Sequence, residues 1–144
     1  MDGANGSDSN LGESPDAPTL TIGQSLTNAV DGIPTIHHIF PSQYAETLDI
    51  TKRNQVLVGE VVGHTGLVQI IGDGATARAT VRVLSASLRG FGLYNIELDT
   101  NGLAQPCLHL QTSDIGAATA TSSHYRFHVE NVAVRSTDPR HGFV

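Results

Sequence analysis

The sequence predicts an all-β fold, an antiparallel meander closing as a small β-sandwich or barrel, with an extended N-terminal arm. Three observations carry that expectation. From Gln55 onward, short β-branched runs alternate with turns centred on Gly, Asn and Asp, at the spacing of hairpins. Ala77, Ala79, Val81 and Val83 alternate with Arg78, Thr80 and Arg82, the period of two expected of a strand with one wet face. A chain of 144 residues with no Trp and only 5% aromatic residues must build its core from Val, Ile, Leu and Ala, and it is long enough for one such core. So few aromatic side chains disfavour a deep ligand pocket.

Taken in order, residues 1 to 18 are Gly, Asn, Ser, Asp and Pro, with too little apolar surface to offset the entropy of ordering them. An acidic, flexible or extended arm is expected over residues 1–33, a single β domain over 34–137 and a short tail over 138–144. Within the arm, residues 19 to 33 read as a strand and a connector. Pro34 and Pro41 bracket a strand over residues 35–40, and Ser42 to Leu48 fits one helical turn. Further strands are expected over 55–62, 67–71, 77–83, 93–98, 103–112 and 123–135. Gly72-Asp73-Gly74 and Asp99-Thr100-Asn101-Gly102 supply the residues of tight hairpins between them. In the strand over 93–98, Tyr94, Ile96 and Leu98 take the inward positions. In the last strand the apolar positions slip from odd (Tyr125, Phe127, Val129) to even (Val132, Val134), which predicts a bulge near Glu130 and Asn131 or burial on both sides there. No repeat of fixed period is visible.

Charge is unevenly distributed. Up to Thr51 there are seven acids (Asp2, Asp8, Glu13, Asp16, Asp31, Glu46, Asp49) and no Lys or Arg, and the eight cations all follow. An acidic arm repels phosphate backbones, so nucleic acid is not an expected partner. The N-terminus has no basic region followed by an apolar leader, and no stretch has the length of a membrane span, so no membrane partner is expected and the chain is placed in a virion or the cytoplasm. The single cysteine, Cys107, leaves no internal disulfide and no thiolate metal site.

Seven histidines invite a search for chemistry. His124 and His128 lie about 13 Å apart along a strand, too far to chelate one ion together. If the strand carrying His109 paired beside the last one, His109, His128 and Glu130 would form an acid-base cluster. No ligand or nucleophile motif supports such a site, and exposed or hydrogen-bonded sheet histidines are the plainer reading. Neither a metal nor a cofactor is expected.

The function expected from these features is that of a non-catalytic structural protein, a virion-type accessory domain of the capsid-cementing or decoration kind. Its partners would be copies of itself and a lattice-forming protein. The arm (Asp2, Asp8, Glu13, Asp16) would dock on the basic face of a neighbour (Arg78, Arg82, Arg126). The alternatives are a small β-barrel enzyme of isomerase or cyclase type, working through His109, His128 and Glu130, and a ligand-binding subunit of a larger complex.

Overall fold

The computed structural model describes residues 1–60, 67–75, 78–84, 89–111 and 127–135. It corrects the expected meander, because every strand pairing in it is parallel. The chain winds as a solenoid. The first coil is β1 (Thr35–Ile39), β2 (Gln43–Ala45) and β3 (Leu48–Ile50); the second is β4 (Gln55–Gly59), β5 (Val68–Ile71) and β6 (Val81–Val83). In the third, β7 (Phe91–Asp99) covers two sides and β8 (Leu108–Leu110) the last, and β9 (Phe127–Arg135) opens a fourth. One curled sheet contains β1, β4, β7, β5 and β2 with β9 on β7, and a second sheet runs β3-β6-β8.

The core consists of columns of side chains stacked from coil to coil. Leu57 lies on Leu93, and His37 and Val129 extend that column at either end. Tyr44, Ile70, Leu98 and Val134 form a second column, and Leu48, Val81 and Leu108 a third. Leu57, Ile70, Leu93 and Leu98 are wholly buried, and burying each such side chain contributes about 1.5–3 kcal/mol. Each side of a coil has one face on this core and one on solvent. That accounts for the alternation in the sequence, which parallel sheets covered on both faces do not show.

The turns taken for hairpins are corners. Asn101 and Gly102 hold φ of 54° and 78°, as the turn chemistry demands, and Asn101 Nδ2 donates to Gly72 O at 3.1 Å, tying one corner to the one below. The chain then bends and continues in the same rotational sense. Asn95 and Asn131 make a second ladder of corners, with φ of 56° and 51° and Asn131 Nδ2 donating to Asn95 Oδ1 at 2.9 Å. Below them stands Gly59, where a Cβ would come within 2.2 Å of Asn95 O. The slip of alternation expected near Glu130 and Asn131 is this corner. The same bend in β7 turns Tyr94 outward, where the sequence places it inward.

Residues 1–33 lie over the open end of the first coil. Their helix α1 (Ile22–Asn28) replaces the strand read from the sequence, because one pair of core-facing residues four apart, Ile22 and Leu26, is too short a signal to reveal a helix. The cap Thr21 accepts from Gln24 N–H, and the Glu46 carboxylate accepts from Ile22 and Gly23 N–H at 2.9 and 2.8 Å. At the other end the Lys52 ammonium donates to Leu26, Thr27 and Ala29 O at 2.9, 2.7 and 2.6 Å. Residues 43–45, expected within a helical turn over 42–48, are the strand β2, and Leu48, expected at the end of that turn, opens the strand β3. Among the described residues no helix is long and apolar enough to cross a membrane.

Candidate functional site at the open coil and under the cap

The two ends of the solenoid differ. At the N-terminal end, the Met1 ammonium donates to His38 O at 2.6 Å, Met1 O accepts from Phe40 N–H, and Asp2 N–H donates to Thr19 O. Asp8, one of the acids expected on a neighbouring subunit, accepts from Leu20 and Thr21 N–H at 3.0 and 2.8 Å. Asp2 closes its own turn through Ala4 and Asn5 N–H. Glu13 lies on the cleft described below, and Asp16 is exposed beside it in sequence.

The last described coil is open. Gln55, Phe91 and Phe127 occupy one column, and their exposures are 0%, 2% and 51%. Val129, Val132 and Val134 are likewise only partly buried against the core. These side chains face inward, yet on one side they have no covering coil among the described residues.

Of the expected acid-base residues, His128 and Glu130 meet and His109 stands apart from them. His109 follows Asp49 and Arg82 on the outer face of the second sheet, whereas His128 and Glu130 are on β9. His128 Nε2 lies 3.0 Å from Glu130, and its ring stacks on Tyr94 with centroids 5.2 Å apart. On the basic face, Asp49 receives two bonds from Arg82, at 2.9 and 3.0 Å, and one from Arg78. Burial pushes the Asp49 carboxyl up, and the two guanidinium groups outweigh it, leaving the pKa below its ordinary value. Arg126 lies outside the described residues. Cys107 is buried, and that burial raises its thiol pKa, as expected of an inert core thiol. Among the described residues no group of His, Cys, Asp and Glu is placed to hold a metal ion.

Sequence reasoning missed a cleft of about 740 Å³ between residues 11–15, the end of α1 and the outer edge of β1. Its apolar wall includes Leu11, Val30, Ile33, Ile36 and Phe40, and its polar groups include Ser25, His37, His38 and Glu60. The apolar lining comes mostly from aliphatic residues, with Phe40, spread over three segments, so the low aromatic content gave no sign of it. Thr35 N–H donates to Asn54 O, and Ile39 O accepts from Glu60 N–H. By strand alternation, the N–H groups of Ile36 and His38 point away from β4, toward the outer edge on which Met1 also sits.

A hydrogen-bonded relay runs from the cleft into the core. Gln55 Nε2 donates to Arg53 O at 2.8 Å and to Ile33 O at 3.4 Å, which leaves its Oε1 to accept from His37 Nε2 at 2.8 Å. That bond assigns the ring proton to Nε2 and leaves the Nδ1 lone pair for the Ser25 hydroxyl, 2.8 Å away. Burial holds the His37 pKa below its ordinary value, so the ring is neutral. The sequence signal was slight: a Ser, a His and a Gln at 25, 37 and 55, with no motif spacing.

Comparison with family models, with curated proteins and with solved structures finds no match to this chain.

Proposed function

We propose that this chain is an assembly module that joins a second copy of itself end to end through β9. The observation that carries the reading is the 51% exposure of Phe127 in a column whose earlier members are buried. A strand edge nine residues long that no other described strand covers, with half-covered apolar side chains beside it, is an adhesive surface.

The pattern of β9 favours a second copy as the occupant. Its inward residues are symmetric about the midpoint of Glu130 and Asn131: Phe127 corresponds to Val134, and Val129 to Val132. A two-fold axis through that corner would reverse the partner strand and set Phe127 on the partner's Val134, and Val129 on the partner's Val132. Both copies would then bury the same patch, as a two-fold interface requires. Of the expected virion accessory role, the part this geometry supports is self-association. The surface it favours is the last coil rather than the arm, whose Met1, Asp2 and Asp8 bond within their own chain.

Native mass measurement tests the reading, with Phe127→Asp as the variant. The wild-type chain is expected to be a dimer at micromolar concentration and Phe127→Asp a monomer with the same circular dichroism. A wild-type chain that stays monomeric throughout that range sinks the proposal.

A further inference from the structure

We propose that Ser25 is an activated nucleophile that takes acyl groups from uncharged carboxylic esters entering the cleft under the cap. The inference is independent of the joint at β9. It rests on the relay from Gln55 through His37 to Ser25, and on the opening of that relay into a space large enough for a small ester.

A histidine that serves only the core needs its two ring nitrogens satisfied, and the sequence could meet that need within the interior. Here the second nitrogen is satisfied by a half-buried hydroxyl on the wall of a cleft. The polarity of the relay is set from the inner end. Because the Gln55 amide nitrogen is committed to two backbone carbonyls, His37 presents a basic lone pair to Ser25 rather than a proton. A nucleophile within hydrogen-bond reach of a base, itself oriented by a third group, is the arrangement that activates serine. Gln55 is an amide, so it orients the ring without neutralising the imidazolium, and the base is weaker than one backed by a carboxylate.

The Ser25 Oγ–H proton moves to His37 Nδ1 as Oγ bonds to the acyl carbon. Collapse of the tetrahedral adduct breaks the bond to the alkoxy oxygen, which takes the proton back from Nδ1 and leaves as an alcohol. Water then attacks the acyl-serine by the same route and releases the acid. The N–H groups of Ile36 and His38 lie along the outer edge of β1 about 6.6 Å apart, so a carbonyl oxygen would take at most one of them. The aliphatic residues of the wall suit a short apolar acyl or alkoxy group, and Glu13 and Glu60 on the same cleft disfavour anionic esters.

The test treats the full chain with an alkyl fluorophosphonate and with p-nitrophenyl butyrate. Expected is one phosphonyl adduct, mapped by peptide mass to Ser25, formed about 10²-fold faster in the folded chain than in urea, the lower end of what a positioned general base supplies. Ser25→Ala, which places the best helix former in α1, should keep the circular dichroism and lose both the adduct and the ester hydrolysis. Failure of the folded wild-type chain to form an adduct, or an adduct that persists in Ser25→Ala, overturns the assignment.

Discussion

Asn95 decides where the third coil bends. An L-residue in the left-handed region ordinarily costs about 1–2 kcal/mol, and asparagine tolerates it best among residues with a side chain. Here the side chain also accepts from Asn131 Nδ2. The two contributions separate by substitution. Asn95→Ala keeps neither and should lose about 1.5–3 kcal/mol in urea unfolding, whereas Asn95→Gly relieves the backbone and should lose about 1 kcal/mol, the ladder bond alone. Equal losses would show that backbone strain plays no part at this corner. Traces of this were legible in the sequence, because the slip of alternation beside Asn131 marked the bend. In β7 the same slip stayed hidden: Tyr94 is apolar enough to pass for an inward residue, although it packs outside on His128.

At the scale of the element, most strands were legible, β2 and β3 were not, and the direction of none was. Turn residues report φ, and Asn101-Gly102 has the positive φ that the sequence requires. The same φ serves a hairpin that reverses the chain and a corner that does not, so nothing local distinguishes the two. Helix α1 was illegible for another reason. At seven residues it is too short to be stable alone, and groups far along the chain, Glu46 and Lys52, satisfy its ends. Removing one of those groups should therefore loosen α1 before the coils. Lys52→Met leaves three helix carbonyls without their cation and should cost about 1–2 kcal/mol. Hydrogen exchange should speed up over residues 22–28 while the amides of β4 and β7 keep their protection. Uniform loss of protection would mean that cap and coils unfold as one unit.

For the molecule as a whole, the repeat was hidden by unequal coils. Ile36, Val56, Gly92 and His128 stand in one column, yet they are 20, 36 and 36 residues apart. Each coil buries its apolar face only when a neighbour lies on it, and stability in such folds passes from coil to coil. The first coil has the cap. The last described coil has an exposed Phe127 and three half-covered valines, and the symmetry of those four residues is the basis for a second copy completing the stack. The relay under the cap was equally hidden, because Ser25, His37 and Gln55 come together only once α1 has closed the first coil. The joint can be tested by cross-linking Val129→Cys/Val132→Cys. Cysteines facing each other across an antiparallel pair have Cα atoms about 4.5–5.5 Å apart, within disulfide range, and Cys107 is buried. Mild oxidation should give a covalent dimer from the double variant and none from either single variant. A double variant that remains monomeric under the same oxidation would contradict the two-fold joint.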